Sequence, residues 1–200
     1  MPKVVKAESP LKRTQADRRQ MSRQAVLLSA CKLFGEKGYA NTSLEDIAID
    51  CGLTITPIYH YFGNKKALFA AVISLMEERI VNSMDEGVAV NKMPEAIAHW
   101  RAFLDLCEDP GFRQIVLVDS PAILGRDRWA DSAVTQTAKA LVTDKSQKNV
   151  GKRYRQELIA RIIMAAFTEA ALMIAEAKDT RAARKEAEKL IMELFSSHDI

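Results

Sequence analysis

An all-α fold in two parts is predicted for this chain of 200 residues, and three observations predict it. Helix-forming Ala, Leu, Glu, Lys and Arg are abundant, while Pro and Gly number only six and eight. Apolar residues recur at helical spacing from Val26 onward. Thr, Ser, Asn and Gly stand where helices would begin and end. The apolar share of 48% suits a packed core, and the length suits one or two domains.

Charge divides the chain. Residues 1–66 hold 11 Lys and Arg against 6 Asp and Glu, whereas residues 67–200 hold 18 against 20. A polyanion partner is therefore expected for the first third only. Three cysteines, Cys31, Cys51 and Cys107, lack metal-ligand spacing and cannot all pair, which fits a reducing cytoplasm. The longest dense apolar run, Ile162 to Phe167, is far short of a membrane span, and no signal-peptide core closely follows the basic start.

Residues 1–19 read as a flexible basic arm, either reaching a DNA minor groove or serving as a solubilising tail. A first helix follows over roughly 20–36, with Val26, Leu27, Ala30, Leu33 and Phe34 on one stripe and Gly38 ending it. Thr42-Ser-Leu-Glu45 has the capping-box pattern, and Leu44, Ile47, Ala48 and Cys51 form a short amphipathic helix. Gly52 supplies a tight turn, Thr54 an N-cap, and Leu53 with Ile58 a hydrophobic staple for a third helix over 55–62. Asn64 caps a long fourth helix from Lys65. Later helices are expected at about 94–108, 111–118, 121–142, 153–177 and 180–196, so about nine in all.

Two short helices about a Gly turn form a helix-turn-helix, which presents its second helix to a major groove. On that helix Ile58 and Phe62 face the core, while Thr56 and His60 face away with Pro57 beside them. Tyr59 and Tyr61 lie on the flanks, where phenols and Lys65 suit phosphate oxygens.

The run Thr42-Ser-Leu-Glu-Asp-Ile-Ala48, then Cys51-Gly-Leu53, Ile58-Tyr-His-Tyr-Phe62, Asn64-Lys65 and Leu68-Phe69, closely resembles the tetracycline-repressor (TetR) family over about residues 22–69. The resemblance implies backbone contacts by Thr42, Tyr59, Tyr61 and Lys65, and base-edge contacts by Ile55, Thr56, Pro57 and His60. Ile55-Thr56-Pro57 departs from the family's usual small or basic residues, which leaves the operator sequence open. The domains implied are the arm (1–19), the DNA-binding domain (20–66) and a helical ligand-binding and dimerisation domain (67–200).

The resemblance also implies a repressor that binds a palindromic operator as a homodimer and is released by a small, largely apolar molecule. No cofactor and no metal are expected. The stretch 158–177 is apolar round most of its circumference, so it needs cover on more than one side. Leu158, Ile162, Ala166, Ala170, Ala187, Leu190, Ile191 and Leu194 are the candidate dimer residues. Candidate pocket residues are Trp100, Phe103, Phe112, Trp129, Met164 and Phe167, with His99 and Asp119 as polar handles. Core packing would place the same residues inside, and Asp119 or Ser120 can instead cap a helix starting at Pro121.

An enzyme is not expected. The only histidines are His60, His99 and His198, and there is no phosphate-cradling Gly motif, HExxH or nucleophile elbow. A redox sensor would have to use Cys31, Cys51 or Cys107, two of which sit on core stripes. An architectural DNA binder would carry more positive charge.

Overall fold

The computed structural model describes residues 14–90, 95–125, 128, 134–136 and 150–196. Most of the arm, Trp129, the side chain of Leu194 and most of the expected helix 121–142 lie outside the described residues.

Helix α1 spans Gln15–Lys37 and starts a turn earlier than periodicity predicts. Its start is chemical: the Thr14 hydroxyl accepts from the Asp17 amide, and the Asp17 carboxylate accepts from the Thr14 amide. Residues 14–20 are all exposed, so these turns carry no apolar stripe to read. The helix ends at Gly38, which has φ +76° and donates its amide to the Phe34 carbonyl.

Helix α2 is Leu44–Asp50, and its capping box is Ser43 with Asp46, one residue later than expected. Thr42/Glu45 and Ser43/Asp46 both fit the pattern, and the fold selects the register that buries Leu44 and Ile47. A tight turn through Gly52 (φ +68°) leads to α3, Ile55–Phe62. Thr54 holds the N-cap position in extended conformation, but its hydroxyl makes no capping bond. Asn64 does cap α4, Lys65–Val90, by accepting from the Ala67 amide at 2.9 Å.

Helix α4 is the spine, about 39 Å long at ~1.5 Å per residue. Its N-terminal Leu68 and Phe69 close the three-helix core, where Phe34, Tyr39 and Phe69 pack ring on ring. Further along, Ile73, Met76, Ile80 and Met84 are buried in the C-terminal part. There α4 packs along α5, Glu95–Leu106. Next come α6, Pro110–Arg113, a π-helical segment Gln114–Asp119, and α7, Ser120–Leu124, which run as one rod. Pro121 therefore lies inside the rod rather than starting a helix, and the Asp119 side chain makes no capping bond. Helices α8, Val150–Glu176, and α9, Thr180–Ser196, complete the described fold, which agrees with the expected all-α class.

One composition-based expectation changes. Within α8, Glu157–Glu176 is long and apolar enough to cross a membrane, with mean hydropathy 1.9. Lone charges at Arg161 and Glu169 break it into short runs when only uninterrupted apolar residues are counted.

Candidate nucleic-acid interface

The α1–α2–α3 unit is held at a fixed angle by polar contacts between helices. The Ser29 hydroxyl donates to Asp50 Oδ2 at 2.7 Å, and Lys32 Nζ lies 2.7 Å from Asp50 Oδ1. Lys32 first, then Ser29, holds the Asp50 carboxyl below its ordinary pKa. The Arg23 guanidinium covers the Phe62 ring at 5.1 Å, shielding the end of α3.

With Ile58 only 1% exposed, α3 turns its other side outward. Thr56, Tyr59 and His60 are exposed, while Ile55, Pro57 and Tyr61 are half-buried beside them. Tyr59 joins a shallow cleft of about 460 Å³ lined also by residues 40–46, Asn64 and Lys65. Lys65 sits at its edge, its ammonium 4.2 Å from the centre of the Tyr39 ring. Opposite, the Ser43 amide and then its hydroxyl hold the Asp46 carboxyl below its usual pKa, with Lys37 and Lys65 adding to the effect.

Thr42 departs from expectation. It is 1% exposed, and its hydroxyl lies 3.1 Å from the Leu33 carbonyl and 2.9 Å from that of Gly38. The side chain pins the end of α1 to the next loop and has no free face for a phosphate. The fold thus exposes Thr56, Tyr59 and His60 on α3, brings Tyr59 to the same cleft as Lys65, and leaves the Thr42 side chain buried.

The candidate pocket residues divide. Trp100 is fully buried, 4.4 Å from the Phe167 ring and 6.5 Å from Phe103, with Met164 half-buried in the same core. The buried Trp100 Nε1 and His99 Nδ1 have no hydrogen-bond partner among the described residues. Phe112 instead lies at the domain junction, under the Arg79 guanidinium and next to Gly111, which meets Gly35 of α1. Asp119 accepts the Tyr39 amide at 2.7 Å. It therefore ties the two parts of the chain together instead of serving a pocket. No sequence pattern marks this pair, because its members are 80 residues apart.

The candidate dimer residues divide too. Leu158 and Ile162 are each 58% exposed, and Leu190 and Ala166 are also exposed. Ala170 and Ala187 are half-buried, and Ile191 is buried in the chain's own core. The reason is the orientation of α9. Arg184 on this helix bonds Asp105 of α5 and Glu108 in the turn after it, and Glu188 pairs with Arg101 of α5. That polar face lies against α5 and draws Ile191 inward with it. Tyr154 and Met173, also exposed, extend the α8 strip.

Burial raises the Cys107 thiol to about 12 and raises Cys31 as well, which disfavours the thiolate that redox sensing needs.

A short helix pair with an outward second helix, joined to a long helical domain, defines a helix-turn-helix DNA-binding regulator. Residues 26–72 match the family described as bacterial regulatory proteins, tetR family, and residues 93–198 match the tetracyclin repressor-like, C-terminal domain. The chain belongs to the tetracycline-repressor family of transcriptional regulators. The HTH-type transcriptional regulator AcrR of Shigella flexneri is 39% identical over 61 residues, 30% of this chain and 28% of that protein. The uncharacterized regulator YezE of Bacillus subtilis is 37% identical over 73 residues, 36% and 38% of the two. These matches span well under half of the relatives' length. A TetR-family transcriptional regulator from Pectobacterium atrosepticum has the same fold, with a TM-score of 0.66 and 27% identity, covering 91% of this chain and 95% of that one.

Proposed function

We propose that this protein is a cytoplasmic, ligand-responsive transcriptional repressor that binds a palindromic operator as a homodimer and is released by a small, largely apolar molecule. The observation that carries this reading is the outward side of α3, where Thr56, Tyr59 and His60 are exposed and Tyr59 shares a cleft with Lys65 of α4. Hydroxyl and imidazole groups read base edges, and the ammonium and phenol hold the backbone.

The α8 strip supports the homodimer. Leu158, Ile162 and Met173 are each more than half exposed in the single chain, so among the described residues this apolar strip has no cover. A second copy supplies that cover by two-fold symmetry. A bilayer fits less well, because Arg161 and Glu169 are exposed on the same helix and each charge in lipid costs about 2.5–3.5 kcal/mol or more. The apolar cluster around Trp100, with the buried Trp100 Nε1 and neighbouring His99 Nδ1 unpaired among the described residues, supports the effector site. An effector need only bind better to the form whose reading heads are wrongly spaced, and DNA then weakens effector binding by the same factor.

Selecting bound duplexes from a random pool tests the proposal. The expected product is a palindrome bound about a thousandfold or more above mixed sequence, with half-sites about one helical turn apart. A pool that enriches no sequence would overturn it.

A further inference from the structure

We infer that Asp119 is a positioning residue for DNA binding. It holds both walls of the phosphate cleft from the C-terminal domain, through the backbone amide of Tyr39. The inference rests on the reading of the Thr56–Lys65 surface as the DNA face.

Tyr39 is the point from which both walls extend. Its chain continues directly into residues 40–46, which form one wall. Its ring carries the Lys65 ammonium of the other wall. A bond that fixes Tyr39 therefore fixes the spacing between them. That bond is the 2.7 Å contact from the Tyr39 amide to Asp119 Oδ2, short enough for a charge-assisted hydrogen bond.

The π-helical segment gives Asp119 its aim. A Cβ on Gly38 would lie 3.3 Å from Gln114 Nε2 and 3.7 Å from Asp119 Oδ2, so both ends of the segment face the same turn. In an α-helix, residues five apart point about 140° away from each other. Closing the turn by i→i+5 bonds brings them back onto one side. The Ser120 amide bonds the Ile115 carbonyl in this way, just before Pro121, whose ring would crowd an ordinary α turn. Ile115, Val116 and Leu117 of the same segment are buried in the core. Repacking of that core around an effector would thus move Asp119, and Asp119 would move the cleft. One turn earlier, Gly35 and Gly111 meet backbone to backbone and provide the fulcrum.

A double-mutant cycle of Lys65→Ala and Asp119→Ala tests this, measured by fluorescence anisotropy on mixed-sequence duplex DNA at low salt, where phosphate contacts dominate. K65A should weaken binding about tenfold in the natural protein and less than about twofold in the D119A background. D119N keeps an acceptor for the Tyr39 amide and should restore most of the coupling, which a general loss of stability would not predict. If D119A fails to fold, Asp119→Ser, whose shorter side chain falls short of the Tyr39 amide, takes its place in the cycle, with the same reduced effect of K65A expected. Additive effects in whichever variant folds would overturn the Asp119 inference while leaving the DNA face standing. A K65A variant that binds like the natural protein would overturn the DNA face, and the inference with it.

Discussion

The Lys65 ammonium rests 4.2 Å from the centre of the Tyr39 ring, so a flexible side chain is held at the cleft edge before any DNA arrives. A held cation loses less freedom on contacting a phosphate. Lys65→Ala should therefore weaken binding to all duplexes alike and lower the slope of log affinity against log salt by about one. Titrations at several salt concentrations measure it. An unchanged slope would remove Lys65 from the phosphate contacts.

His60 should behave differently. It is exposed beside Thr56 on the outward side of α3. His60→Ala should change which base is preferred at one operator position, with a discrimination loss of about 1–3 kcal/mol, and leave the salt slope nearly unchanged. Competition among single-base operator variants separates this from a uniform loss.

Thr42 should matter for folding. Thr42→Val keeps the shape but leaves the Leu33 and Gly38 carbonyls without its hydroxyl. Unfolding by urea should show a loss of about 1–3 kcal/mol, while Thr42→Ser should retain most of the stability. Equal stability of the valine and serine variants would contradict the role assigned to the hydroxyl.

Acid should loosen the DNA-binding domain through Asp50. Its carboxyl titrates below its unfolded value because Lys32 and Ser29 favour the charged form. A lowered folded pKa gives stability that is complete above the unfolded pKa, about 3.9, and is lost as pH falls through the folded value. Asp50→Asn should be less stable than the natural protein at pH 7, and the two stability curves should converge as pH drops below about 4. Parallel curves down to pH 3 would show that the Lys32–Asp50 pair adds nothing to folding.

These outcomes also mark where the sequence was legible. The helix-turn-helix was readable because caps, turn glycine and apolar spacing agree within thirty or so residues of chain. Asn64 capped as its pattern implied, whereas overlapping Thr42/Glu45 and Ser43/Asp46 boxes left the α2 register to be decided by burial of Leu44 and Ile47. The same ambiguity hid Thr42, since a threonine before a helix is a plausible phosphate ligand until its hydroxyl is seen facing carbonyls. Asp119 was illegible for a different reason. Its partner is a backbone amide, which has no sequence signature, and the π-helical segment rotates it away from the face an α-helix would give it. Ile191 was misassigned because apolar stripes do not say which neighbour covers them. Here the Arg184 and Glu188 pairs with α5 decided it.

Leu158 and Ile162 test the α8 strip without threatening the fold. Both are more than half exposed in the single chain, so charged replacements need bury no new charge in it. In a two-fold pair each substitution occurs twice, and glutamates meeting across the axis would face one another with their hydration removed. Leu158→Glu with Ile162→Glu should therefore yield a folded monomer by sedimentation equilibrium, with helical circular dichroism preserved. Operator affinity should fall steeply, because one reading head alone grips half the palindrome and loses the gain in effective concentration from the linked second head. Ile191→Glu is the contrasting case. Its side chain is buried within the chain, so it should lower the unfolding midpoint rather than merely separate subunits. A double glutamate variant that stays dimeric would move the interface off α8. An Ile191→Glu variant as stable as the natural protein would contradict the packing of α9 on α5.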